Sequence, residues 1–112
     1  MISNAGYNEG FITLYVTEGT KQNDIVYISR NETCSPCMEN DIFCGVVKGI
    51  RNGIATVQVK GYVELKYSES TISLGKTTLV ADGMGGVKES IDGSPVFVFS
   101  VDDEASTIKA IL

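Results

Sequence analysis

The chain has 112 residues, of which 43% are hydrophobic and 21% are charged. This length and composition support one folded domain and argue against wholesale disorder and a second independent core. The formal charge is −5, and the nine basic residues are scattered along the chain. This argues against nucleic-acid binding, because a phosphate backbone is bound by a clustered basic surface.

The N-terminal residues lack the positive start and the apolar run of a signal peptide. No stretch approaches the ~18 consecutive apolar residues of a membrane span. We therefore expect a protein that is made and kept in the cytosol and has no membrane partner.

Two strands are predicted in the first third of the chain. Residues 11–17 are rich in β-branched and aromatic side chains and end at Glu18-Gly19. Residues 24–29 form a second apolar run, which is too short for a helix and ends in polar residues. Both runs are typical of β-strands.

The clearest local signal is a hairpin between residues 43–48 and 54–59. Asn52-Gly53 lies between these two apolar runs. Asparagine and glycine tolerate the positive φ angles of a tight hairpin turn, whose twist matches the flanking strands. Residues 62–67 then alternate between apolar and charged side chains, which indicates a strand with one wet face.

The last third of the chain repeats this pattern of short strands and turns. Strands are predicted at residues 77–81, 86–88, 95–101 and 107–112. No segment shows the 3.6-residue periodicity of an amphipathic helix. We predict an all-β protein, a small single-domain β-barrel or sandwich of about nine short strands. Residues 11–112 form this domain, and residues 1–10 form a flexible N-terminal arm.

The absence of histidine limits the chemistry that this chain can perform. It argues against serine and cysteine hydrolases that use imidazole, and against most catalytic zinc sites. A pair of carboxylates across a cleft remains an alternative, but the acidic residues occur mainly at predicted turns. We therefore expect no enzymatic activity and no cofactor.

Three cysteines form the one pattern that resembles a metal site. Cys34 and Cys37 are spaced as C-x-x-C, and Cys44 follows after six residues. Structural zinc normally takes four ligands, and without histidine the fourth could only be Glu39, Asp41, another acid or a residue of a neighbouring subunit. Cys44 lies in an apolar strand, where a free cysteine is commonly a small core residue. Plain thiols on a loop are the favoured interpretation of the other two, and metal and redox sites are the alternatives.

Tyrosine offers contact area with a polar tip, so the five tyrosines could contribute to a binding surface. Tyr7 lies outside any predicted strand and is the best candidate for a contact residue. The other four are expected to be ordinary strand residues.

Several segments of the second half carry a family resemblance. Residues 43–47 read FCGVV, residues 53–63 read GIATVQVKGYV and residues 79–88 read LVADGMGGVK. This order of segments resembles small phage and prophage head decoration proteins, also called capsid cement proteins. The resemblance covers roughly residues 40 to 112 and contains no catalytic signature.

The resemblance implies a compact β domain on the outer surface of the capsid, often as a trimer, with an N-terminal arm that pairs with capsid strands. The partner would be the major capsid protein, and the capsid-contact candidates in the arm would be Ile2, Asn4 and Tyr7. The protein would be made in the host bacterial cytoplasm and located in the virion. The alternatives are a tail, baseplate or spike component and a carbohydrate- or small-ligand-binding β module.

Overall fold

The computed structural model describes residues 10–68 and 71–112, and their regular structure consists of ten β-strands. This confirms the prediction of a small all-β domain. The first five strands are β1 (Phe11–Val16), β2 (Ile25–Arg30), β3 (Thr33–Pro36), β4 (Gly45–Arg51) and β5 (Ile54–Gln58). The other five are β6 (Tyr62–Lys66), β7 (Gly75–Ala81), β8 (Val87–Glu89), β9 (Ser94–Asp102) and β10 (Thr107–Ile111).

The first five strands close into a barrel in the order β1-β3-β2-β4-β5. Closure depends on β3, which pairs in parallel with β1 and antiparallel with β2. The predicted loop around Cys34 is therefore wrong, because Thr33–Pro36 is a strand. The polar residues and the proline of this segment give it a low intrinsic strand propensity, and pairing on both sides overrides that propensity.

The remaining strands form a second sheet in the order β6-β10-β9-β7-β8. Its two outer strands, β6 and β8, approach each other at one end, where Tyr67 and Val87 form an isolated parallel bridge. Loops from the barrel half reach this sheet, since the amide of Asn40 donates to the carbonyl oxygen of Ala81 at 2.9 Å.

Strands β2 and β4 join the barrel to the second sheet. Val26 and Val47 lie in the barrel core, whereas their neighbours Ile25 and Val46 pack with the second sheet. Successive side chains of a strand point to opposite faces, so one strand can serve two cores. The barrel core consists of Leu14, Val26, Cys34, Val47, Ala55 and Val57. The second core consists of Ile25, Phe43, Val46, Val63, Leu65, Ile72, Leu79, Ala81, Val87, Val96, Val98, Ile108 and Ala110.

The Asn52-Gly53 hairpin is present as predicted. Arg51 pairs with Ile54, so Asn52 and Gly53 form a two-residue loop. Their φ angles are 53° and 77°, which is the left-handed conformation that this type of turn requires.

The alternation predicted for residues 62–67 is also present. Val63 and Leu65 are buried in the second core, and Tyr67 packs against it. Glu64 and Lys66 are exposed on the opposite face. Hydrophobic alternation therefore identified the solvent-exposed and buried faces of β6 correctly.

The N-terminal contact candidates Ile2, Asn4 and Tyr7 lie outside the described residues. The described chain starts at Gly10, which is buried and accepts a hydrogen bond from the amide of Val59 at 2.7 Å. A Cβ atom at Gly10 would lie 2.7 Å from the carbonyl oxygen of Lys60. Gly10 thus extends the pairing of β1 with β5 and is held close to the connection that leads into β6.

Within residues 10–68 and 71–112, no helix is long and apolar enough to cross a membrane.

Two glycines of β4 provide a matched test of barrel packing. A Cβ atom at Gly45 would overlap the carbonyl oxygen of Gln58, whereas a Cβ atom at Gly49 would meet nothing within 4 Å. We expect Gly45→Ala to lower the free energy of unfolding by about 2–3 kcal/mol, because the rigid backbone of β5 must move.

The control Gly49→Ala should change this free energy by less than about 1 kcal/mol, because its methyl group fits without a clash. Urea denaturation of both variants measures the difference. Equal stability of the two variants would show that β4 and β5 are not packed as described.

Candidate binding surface

A cleft of about 680 Å³ lies beside β6, between the barrel and the second sheet. The side chains that line the cleft include both lysines and carboxylates, so the cleft has no single charge. One of the carboxylates, Asp24, accepts a hydrogen bond from the amide of Lys21 at 2.8 Å. Among the described residues that line the cleft, Tyr62 is the one aromatic side chain. In the described part of the chain, no group of three or more acidic, cysteine or histidine side chains could hold a metal ion.

The three cysteines are free thiols in different packing environments. Cys34 is buried in the barrel core, and Cys44 is partly buried against that core. Cys37 packs against the second core. The sequence analysis placed Cys34 on a loop, but it lies in a barrel strand because β3 closes the barrel.

Burial also makes these thiols weaker acids than an exposed cysteine. Burial is the main cause that raises the pKa of Cys44 to about 11, with a smaller contribution from Cys34. The pKa of Cys37 is raised to about 12 by burial, and then by the negative charge of Asp41 and by Cys44. The pKa of Cys34 is raised by burial as well. Because the thiolate is both the nucleophile and the metal ligand, these environments favour structural thiols.

Four large apolar side chains are exposed on the outward side of the second sheet. We call them the aromatic face: Tyr62, Phe97, Phe99 and Ile111. Ile111 lies directly opposite both Tyr62 and Phe97, so these three form a row across β6, β10 and β9. Phe99 extends the row, with its ring centroid 5.9 Å from that of Tyr62 and 6.5 Å from that of Phe97. The exposed fractions of the four residues range from 43% to 52%.

A β-bulge in β9 accompanies the aromatic face. Lys109 of β10 lies opposite Ser100, but the next residue, Ala110, lies opposite Val98. Phe99 therefore has no opposing residue on β10 and remains exposed. The extra residue also shifts the alternation, so that Val101 packs against the second core. Bulges commonly redirect side chains in this way.

The sequence analysis did not identify the aromatic face, because it treated Tyr62 as an ordinary strand residue. A signal was present in residues 95–99, where valine and phenylalanine alternate. Val96 and Val98 are buried, which leaves the phenylalanines on the outward side. A strand with large apolar side chains on both faces must be covered on both faces or carry a contact surface.

A second exposed apolar group lies on two loops. We call it the methionine loops: Met38, Ile42 and Met84, with exposed fractions from 57% to 78%. The two loops touch, since a Cβ atom at Gly83 would lie 3.0 Å from the Cβ of Glu39. Glu39 also forms an ion pair with Lys88 at 2.8 Å. Asp82 accepts hydrogen bonds from the amides of Met84 and Gly86 at 2.7 and 3.0 Å, which fixes the second loop.

The raised pKa values of Cys37 and Cys44 predict a loss of stability in alkali. The unfolded chain loses thiol protons from about pH 9, whereas the folded chain holds them to about pH 11 or above. The unfolded state then binds fewer protons, so the free energy of unfolding should fall as the pH rises through this range. Below pH 9 the contribution of both thiols is fully present.

Urea denaturation between pH 8 and pH 11 measures this loss, and a Cys37→Ala/Cys44→Ala variant provides the comparison. We expect a steeper decline in the wild-type chain, since the two chains differ in no titratable group except these two thiols. Parallel pH profiles would contradict the assignment of buried, weakly acidic thiols.

Comparisons of this chain with protein-family models, with curated proteins and with solved structures found no match.

Proposed function

We propose that this protein is a phage or prophage capsid decoration protein that binds the outer surface of the major capsid protein and stabilises the head. It assembles as a homotrimer, is made in the bacterial host and resides on the virion surface. The order of the FCGVV, VKGYV and DGMGGV segments supports this proposal through its resemblance to the decoration family.

The observation that carries the proposal is the exposure of large apolar side chains in two separate places. The aromatic face lies on paired strands, and the methionine loops lie on connections between strands. Exposed apolar groups of this kind mark contacts with other proteins. A protein that cements a shell assembles with its own copies as well as with the shell, and a head-to-tail contact between copies needs two different surfaces.

The stiffness of the β body also suits a structural role. Strand-borne side chains lose little freedom on binding, so more of the contact energy is retained as affinity. Each contact can be weak, because a trimer on a repeating lattice engages several sites at once. No reactive group is needed for such a role, which fits the weakly acidic thiols and the lack of histidine.

The position of the aromatic rings gives the small-ligand alternative less support. A carbohydrate-binding module would stack its ligand on aromatic rings that line a groove. Here Phe97 and Phe99 lie on an open sheet face, and Tyr62 is the one ring that also lines the cleft.

Sedimentation with expanded heads from the phage or prophage that encodes the protein tests the proposal. We expect the purified full chain to pellet with heads that lack it and to saturate at a fixed number of copies per capsid subunit. We also expect the loaded heads to resist heat better than bare heads, since a ligand that binds only the assembled shell stabilises it.

A chain without residues 1–9 tests the arm, because Gly10 must stay to support the barrel. We expect this chain to fold and to bind heads at least about tenfold more weakly, which corresponds to 1.4 kcal/mol or more. If the full chain pellets with tails but not with heads, the protein is instead a tail or baseplate component. Failure to bind either particle would overturn a structural role in phage particles.

A further inference from the structure

The outward side of the second sheet, which holds the aromatic face, carries a small excess of positive charge on a protein that is acidic as a whole. The outward charged residues of β6, β10, β9 and β7 are three lysines and two carboxylates: Lys66, Lys76, Lys109, Glu64 and Asp102. Six basic and twelve acidic residues remain elsewhere in the sequence. Copies of an acidic protein repel each other, and this repulsion is weakest where the local charge is of the opposite sign.

Two of these lysines lie next to the apolar row itself. Lys76 lies directly opposite Phe97 on β7, at the end of the row. Lys109 precedes Ala110 on β10 and lies opposite Glu64, one row away. Asp102 accepts hydrogen bonds from the amides of its own turn, at Glu104 and Ala105. The charged groups nearest to the apolar row are therefore two ammonium groups and one carboxylate, since Glu64 lies beside Lys109.

The methionine loops combine apolar exposure with the opposite charge. Glu39 and Asp41 lie between Met38 and Ile42 in the sequence. The side chain of Glu39 is 61% exposed despite its ion pair with Lys88. Asp41 accepts a hydrogen bond from the amide of Met38 at 2.9 Å, which holds the loop in a compact turn. This surface thus presents thioether and aliphatic groups beside carboxylates.

The two surfaces complement each other in chemistry. Methionine sulfur makes favourable contacts with aromatic rings, and flexible thioether chains adapt to an irregular ring surface. Lysines beside one surface and carboxylates beside the other give charge complementarity and favour one partner and one orientation. The four residues of the aromatic face expose about 400 Å², taking ~200 Å² per large side chain. This is roughly half of one side of a standard interface, which leaves the polar rim to supply the remainder.

We infer that the aromatic face of one copy binds the methionine loops of the next copy. Because the two surfaces differ, the contact is head-to-tail, and such contacts generate a ring when the rotation between copies closes. The inference rests on the proposed trimer and assigns its subunit interface. It leaves the segment before Gly10 available for the shell.

Analytical ultracentrifugation of the full chain over a range of concentrations tests this contact. Three variants are compared with the wild-type chain: Phe97→Ser/Phe99→Ser, Met38→Ser/Met84→Ser, and Ile91→Ser as a control. Ile91 is 95% exposed and belongs to neither surface. We expect each double variant to weaken association at least about tenfold, as for central interface residues, and the control to associate like the wild-type chain.

Mixing the two double variants tests the head-to-tail geometry. Each retains one intact surface, so an equimolar mixture should form a dimer through the one complete contact and should not close a ring. A Lys76→Glu/Lys109→Glu variant should also associate at least about tenfold more weakly at low salt, with the double charge reversal Arg30→Glu/Arg51→Glu at exposed barrel positions as its control.

Three results would overturn the inference: a wild-type chain that stays monomeric, a Met38→Ser/Met84→Ser variant that associates normally, or a mixture of variants that stays monomeric. Head binding is measured in the same samples. A monomeric chain that still pellets with heads would remove the subunit contact and leave the decoration role intact. A trimer that does not pellet with heads would leave the subunit contact intact and remove the decoration role.

Discussion

The whole structure depends on the way in which β2 and β4 are shared between two cores. Ile25 and Val46 lie opposite each other and pack with the second sheet, while Val26 and Val47 fill the barrel. Each of these strands is therefore buried on both faces at its start, whereas its later residues reach the surface. A polar substitution on either face would damage one core directly and displace the strand that supports the other.

This shared packing explains where the exposed apolar groups occur. The inward faces of all strands are used by the two cores, so contact residues must lie on outward faces or on loops. The aromatic face uses the outward side of the second sheet, where three adjacent strands, β6, β10 and β9, provide a stiff platform. The methionine loops combine the connection between β3 and β4 of the barrel with the connection between β7 and β8 of the second sheet. The bulge at Phe99 lets β9 serve the aromatic face and the second core together, because it leaves this ring on the outward side and returns Val101 to the core.

Much of the fold could be predicted from local patterns. Residues 62–67 alternate clearly, Asn52-Gly53 has the conformational freedom that a tight turn needs, and the lack of a 3.6-residue periodicity disfavours helices. The strand Thr33–Pro36 was missed because its stability comes from pairing with β1 and β2, and such distant pairing leaves little trace in a four-residue segment. The position of Cys34 was misjudged for the same reason. The aromatic face was visible as an alternation in residues 95–99, but its outward direction depends on tertiary packing and on the bulge.

The two halves of the molecule also differ in mechanical terms. The barrel is a closed ring of strands, so no strand of it can be peeled away without breaking ladders on both sides. In the second sheet, β6 is paired along one side by β10, and at its far end a single bridge joins Tyr67 to Val87. Under a pulling force or rising temperature, the seam between β6 and β8 is the place where this molecule would open first.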